Sequence, residues 1–515
     1  MKRRNLLLVL ATLAVAILVF KGGKAPLKPI VILYENDVHC SIEGYAKLAG
    51  LKNSMPDSVY VGLVSSGDYL QGGTAGALSR GSYIMDIQKV IGYDALTLGN
   101  HEFDYFTDRL LELADQYQPP VTCANLYDSK TGKACFPAYI LKEYGPKKVA
   151  FIGATTPETA TSEYYALHTE DGSEIFDLCP DRICDLVQEA ADKARKEGAD
   201  YVVVLSHLGE VNEPPYITSH ALIAATNGID VLLDGHTHSI VPGEYVNNKD
   251  GKPVLVSQTG TAFKNIGKLV IAKDGTISNE LVPVADLTEE DAAVRAAIED
   301  VKARMLEITS RVIGDSEVDI RINDSEGKRM VRKAETTGGD LLADALRYKT
   351  KADLAIVNGG GVRCDIPAGT LTYGDIVADF PFENFVYKIE ATGDDILAVL
   401  GYSTRHAPEA EDGDYPQCSG IRFTLHTRDR SLSGVEVETP EGKWVPLQPE
   451  KTYTVGTMNY CVVGGGFGRL WQNCKVLERT DILYRDAVVD YITEVLGGHV
   501  GQEYAKPQGR SVITK

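Results

Sequence analysis

Gly99-Asn100-His101-Glu102-Phe103-Asp104 closes the short, mostly apolar run Ala95 to Leu98, and four other runs end in the same way. Asp37-Val38-His39 follows Ile30 to Tyr34, and Gly67-Asp68 follows Val59 to Val64. Ser206-His207 follows Tyr201 to Leu205, and Gly235-His236-Thr237-His238 follows Val231 to Leu233. Runs of this length read as buried strands. Polar clusters at their ends then emerge along one edge of a buried sheet, and one edge means one site. Five of the ten histidines fall in these clusters. Any one cluster alone is ordinary turn chemistry; the conjunction is what argues for a site.

The residue types fit a pair of divalent ions. Ions about 3.5 to 4 Å apart need a carboxylate that bridges both, with imidazole, amide or further carboxylate ligands completing each shell. Asp37 and His39, at i and i+2, lie on the same side of an extended segment and can reach one ion. Asp68 suits the bridge. Asn100, His207 and His236 can surround the second ion, and His238 can turn back to the first. His101 is left over, and with Asp104 three residues on it forms a pair whose imidazole faces substrate. No thiolate belongs to the set, which favours Mn, Zn, Co or Fe over copper(I).

In order and spacing these blocks resemble the calcineurin-like metallophosphoesterases, specifically the extracytoplasmic 5′-nucleotidases that include periplasmic UDP-sugar hydrolases and vertebrate ecto-5′-nucleotidase. The resemblance implies that Asp37, His39, Asp68 and His238 hold one ion, that Asp68, Asn100, His207 and His236 hold the other, and that His101 and Asp104 form a catalytic dyad. A second signature of that family, Asn358-Gly359-Gly360-Gly361-Val362-Arg363, follows the run Leu354 to Val357. Three glycines let backbone approach a ligand closely. By resemblance, Arg363 binds phosphate or carboxylate, Asn358 contacts the base, Phe382 and Tyr460 stack it, and Gly360 and Arg332 are further substrate-binding residues. The chain departs from the family at Gly466, where an Asp usually holds the ribose hydroxyls.

The fold class expected is α/β: an N-terminal two-sheet αββα sandwich over 28–284, a linker helix over 285–312 and an α+β nucleotide-binding C-terminal domain over 313–515. The 515 residues, 44% apolar and 24% charged, are enough for two cores. Thr288 reads as the N-cap of the linker helix, with Glu289, Glu290 and Asp291 in its first turn. Residues 1–27 read as a signal peptide or N-terminal anchor, because Lys2, Arg3 and Arg4 precede an apolar run from Leu6 to Phe20. Export, with a possible membrane tether through that run, is the expectation. Cys123 with Cys135, and Cys179 with Cys184, are candidate disulfide pairs in an oxidising compartment.

A net charge of −20 argues against binding a nucleic-acid polymer through its phosphates. The function expected is an exported phosphohydrolase that removes phosphate from nucleotides by attack of metal-activated water. The alternatives are a 2′,3′-cyclic-nucleotide phosphodiesterase/3′-nucleotidase or a nucleotide-sugar hydrolase on the same machinery, and a catalytically silent surface binding protein.

Overall fold

The structure is a computed structural model that describes residues 25–169, 172–211, 216–463 and 466–515. The N-terminal apolar run lies outside the described residues. In the first half of the chain a five-stranded sheet runs Ile277–Pro283, Asn265–Ile271, Ile30–Glu35, Tyr60–Ser65, Ala95–Leu96. A six-stranded sheet runs Ile240–Asn247, Pro253–Thr259, Val231–Leu233, Tyr201–His207, Lys147–Thr155, Tyr139–Tyr144. Strand periodicity explains how they pack. Ile30, Ile32 and Tyr34 join Phe151, Val203, Leu205, Val231 and Leu233 in a core between the sheets. Val31 and Leu33, on the alternate face, pack with residues of the helices Glu43–Ser54 and Ser82–Ile91. Ile183–Lys196 covers the outer face of the second sheet through Leu186, Val187 and Ala190. Helices therefore flank both sheets.

The polar clusters divide between these sheets rather than sharing one. Ile30–Glu35, Tyr60–Ser65 and Ala95–Leu96 are parallel neighbours in the first, and Tyr201–His207, Val231–Leu233 and Pro253–Thr259 are parallel neighbours in the second. Parallel strands deliver their C-terminal ends to a common edge. The two edges stand side by side, and the single-site expectation holds with two sheets supplying it.

Residues 292–309 form the helix between the halves, shorter than expected. Its N-cap is Asp291, whose side chain accepts from Val294 N, not Thr288. Val312 belongs to the next strand, Val312–Ser316. Val294, Ile298 and Val301, spaced i, i+4, i+7, are buried in the same core as Val31 and Leu33. The second half centres on a sheet ordered Pro416–Ser419, Leu354–Asn358, Thr452–Met458, Phe385–Thr392, Lys475–Leu483, against which Thr337–Thr350 packs. The glycine-rich signature leaves the end of its Leu354–Asn358 strand. The halves meet through Arg80 Nε and Glu383 Oε1 at 3.1 Å and through the rings of Phe106 and Phe385.

All nine cysteines are free, so the two expected disulfides are absent. Cys123 is fully buried, within 3.4 Å of Thr155 Oγ1, and Cys179 bonds Asp177 at 3.4 Å. Each thiol is committed to local packing instead of to its supposed mate.

Candidate metal centre and adjoining cavity

The strand-end loops are locked into one another by backbone. Asp37 N donates to Gly67 O and His39 N to Asp68 O, both at 3.0 Å. This pairing corrects the expectation of an extended segment: Asp37 and His39 have φ of 51° and 44°. Asp68, His236 and His238 are also left-handed, at 59°, 81° and 58°. Side chains other than glycine visit this region at about 1 to 2 kcal/mol each, and such residues concentrate at functional sites.

The strained backbone brings together the side chains expected to hold metal. Ligand atoms of Asp37, His39, Asp68 and His238 all lie within 4.8 Å of one another. Asp68 Oδ2 stands 3.1 Å from His207 Nε2 and 3.6 Å from His39 Nε2, between the two halves of the cluster. Asp37 Oδ1 is 3.4 Å from His238 Nε2 and 3.7 Å from His207 Nε2. On the far side His236 Nδ1 is 3.1 Å from Asn100 Oδ1.

Tautomers decide what such a cluster can bind. His207 Nδ1–H donates to Ser66 O at 2.6 Å, so Nε2 turns toward the two carboxylates, buried and with no hydrogen-bond donor or acceptor assigned to it among the described residues. His39 Nδ1–H donates to Gln71 O at 3.1 Å, which aims its Nε2 at His238 Nε2, 3.0 Å away. His236 Nε2–H donates to Glu158 Oε2 at 2.8 Å, which turns its Nδ1 lone pair toward the Asn100 carbonyl oxygen. Acceptors facing acceptors form the donor set of cations, and carboxylate, imidazole and amide together suit a divalent pair. Burial by itself pulls the His207 imidazole down, but Asp68 and Asp37 outweigh it and raise it to about 10.

His101 stands apart from the cluster. Its Nδ1 meets Asp104 Oδ1 at 3.0 Å and Oδ2 at 3.1 Å. Burial opposes the charged ring, yet Asp104 and Asp68 hold His101 well above the ordinary histidine range. Glu163 belongs to the same group, a carboxyl that no motif in the sequence singles out.

Two more carboxylates escape a reading by motif. Glu102 stands inside the motif without an expected role; it accepts from the backbone N–H of Asp68, Tyr69, Leu70 and Gly99 at 2.6 to 3.0 Å, tying the loop of Asp68 to the loop of Asn100. Its place three residues after Gly99 is the available signal. Glu158, which orients His236, leaves none. Gly99 is needed for space, since a Cβ there would fall 2.1 Å from Asp68 Oδ1 and 2.7 Å from His207 Nε2.

Beside the cluster a cavity of about 330 Å³ opens between the halves of the chain. Asn100 and His101 line one side; Arg332, Asn358, Gly360, Arg363, Phe382 and Tyr460 line the other. All six residues expected around substrate thus share one hollow with the dyad histidine. The Arg363 guanidinium lies 5.5 Å from the Phe382 ring centroid, and the His101 ring lies 6.4 Å from it. Arg332 Nε is buried with no partner among the described residues, and burial lowers this guanidinium to about 10. A buried cation with an open donor is suited to an anionic ligand.

Residues 30–239 match the calcineurin-like phosphoesterase family, and residues 312–472 match the 5′-nucleotidase C-terminal domain family. The chain belongs to the 5′-nucleotidase family. The chain carries both domains, the phosphoesterase first and the 5′-nucleotidase C-terminal domain after it. It is 29% identical over 421 residues to a 5′-nucleotidase of Vibrio cholerae, covering 73% of this chain and 72% of that protein. It is 26% identical over 486 residues to the trifunctional nucleotide phosphoesterase protein YfkN of Bacillus subtilis, covering 85% of this chain and 32% of that protein. The chain spans about a third of the length of the Bacillus subtilis relatives it matches. The 5′-nucleotidase precursor from Thermus thermophilus has the same fold, with a TM-score of 0.73 at 24% identity over 95% of this chain and 99% of that one.

Proposed function

We propose that this 5′-nucleotidase family member hydrolyses nucleotides to release phosphate, with nucleoside 5′-monophosphates as its main substrates. The observation that carries the reading is the cavity beside the metal-type cluster, with Asn100 and His101 on one wall and two guanidiniums with two aromatic rings on the other. Asp37, His39, Asp68 and His238 would hold one divalent ion and Asp68, Asn100, His207 and His236 the other. Two such ions supply Lewis-acid stabilisation of phosphoryl oxygens and a water of lowered pKa.

The protein's own groups do the rest. Phe382 and Tyr460 offer faces for a base, with about 1 to 3 kcal/mol available per stacked ring. Arg363 and Arg332 draw in the anion. His101, kept cationic by Asp104, stabilises charge that grows on the phosphoryl oxygens or hands its Nε2 proton to the leaving alkoxide. The N-terminal basic and apolar pattern supports action outside the cytoplasm, in the periplasm or at the cell surface; among the described residues no helix is long and apolar enough to cross a membrane.

A second reading, hydrolysis of a nucleotide carrying a bulky second group such as a sugar, is favoured by a neighbouring cavity of about 830 Å³ lined by Phe106, Tyr165, Phe385 and Tyr387. The test is phosphate release by the purified protein from nucleoside monophosphates, cyclic nucleotides and nucleotide sugars, each with Mn, Zn, Co or Fe. Fastest release from 5′-monophosphates is expected. Release from none of them sinks the proposal.

A further inference from the structure

Three carboxylates line the cavity between the domains, and two of them are already engaged. Glu163 is packed against His101 and Asp104. Asp412 takes Arg405 Nη2 and His406 Nδ1 on Oδ2, each at 2.9 Å, and Asp414 N on Oδ1 at 3.0 Å. Asp414 is the third. Only 7% of the residue is exposed, yet among the described residues its one side-chain partner is Arg405 Nη1, at 3.5 Å from Oδ2. Among the described residues no donor is bonded to Oδ1.

The position of that oxygen is informative. Oδ1 lies 1.4 Å from where a Cβ on Gly466 would stand, with Cγ at 2.2 Å. The Asp414 carboxylate therefore fills the space that any side chain at 466 would claim. Carboxylate here and side chain there are mutually exclusive. The chain lacks an acid at 466 but still presents one at that spot, from a segment about fifty residues earlier.

Chemistry narrows what the carboxylate receives. It would repel a phosphate, which the guanidiniums and the metal cluster attract, and it offers nothing to a ring face, which Phe382 and Tyr460 suit. The remaining part of a nucleotide is its sugar, whose polar hydrogens are hydroxyl protons. A vicinal diol can place two O–H donors on one carboxylate. We propose that Asp414 binds the 2′,3′-diol of a ribonucleotide, and that the missing side chain at Gly466 is what admits it. This rests on the nucleotide-hydrolase reading above and adds the sugar to it: 5′-ribonucleotides are preferred over 2′-deoxy, 2′,3′-dideoxy and 2′,3′-cyclic forms.

The experiment compares kcat/KM for adenosine 5′-monophosphate with that for its 2′-deoxy and 2′,3′-dideoxy analogues, using the full chain with Mn or Zn. The wild-type ratio of ribo to dideoxy substrate is expected to be about 10- to 100-fold, the worth of hydrogen bonds to a charged acceptor. In Asp414→Asn it falls to within about threefold. In Gly466→Ala, whose Cβ displaces the carboxylate, it falls likewise, so the test survives if either variant fails to fold. A wild-type protein that hydrolyses all three equally, or a ratio unchanged in the folded variants, overturns the assignment and leaves the hydrolase reading intact. A wild-type protein that releases phosphate from no nucleotide overturns both.

Discussion

At the scale of single residues, His101 is the group whose role separates most cleanly from its neighbours'. It sits one residue from Asn100 and 5.2 Å, ring to ring, from His39, yet its Nδ1 is turned to Asp104 and away from the cluster. The sequence leaves it out of the ligand set and pairs it with Asp104; its place on the cavity wall fits the proton-carrying role proposed for it. His101→Ala is expected to lower kcat about 10²- to 10⁴-fold, the usual share of general acid catalysis. Bound metal, counted by elemental analysis, should stay at the wild-type level. A variant that loses metal in step with activity would reassign His101 to the ligand set. The five left-handed residues belong to the same scale. Their side chains are readable from the motif, but their backbone is not, because it depends on pairs such as His39 N with Asp68 O that join distant loops.

Elements are legible where local pattern and final environment agree. Parallel strands covered on both faces read as continuous apolar runs, which is why Ile30 to Tyr34 and Tyr201 to Leu205 stand out and why the clusters at their ends can be taken together. Their division between two sheets is not readable, since each run carries the same pattern in either. The linker helix shows a different limit. Thr288, Glu289, Glu290 and Asp291 all have N-terminal character, and the choice among them falls to tertiary contacts: Asp291 N donates to Ala46 O at 2.9 Å and Asn53 Nδ2 donates to Asp291 Oδ2 at 2.8 Å, fixing Asp291 where its other oxygen caps Val294. Asp291→Ala should therefore cost about 1 kcal/mol or somewhat more in denaturant titration, while Thr288→Ala stays within about 0.5 kcal/mol. Equal losses would return the cap to Thr288.

At the scale of the whole molecule, the two domains divide the chemistry. One supplies the metal-type cluster, the other two guanidiniums and two aromatic rings, and the cavity lies where they meet. Glu158 and Asp414 mark what such an arrangement hides from sequence: each acts on a partner far along the chain, His236 or Gly466, with no spacing to announce it. The division also bears on stability. Asp37 and Asp68 are fully buried beside imidazoles, on a backbone strained at five positions, so cations held as proposed would stabilise the first domain and not the second. A ligand held only by the folded state stabilises it by about 2.7 kcal/mol at a hundred times its Kd. For a domain of this size that corresponds to about 5 to 10 °C in melting temperature. Calorimetry with and without a strong chelator should accordingly show one transition falling by that amount and recovering when Mn or Zn is restored, while a second transition stays in place. If both transitions move together the domains unfold as one unit, and if neither moves the cluster between Asp37 and His238 does not hold metal.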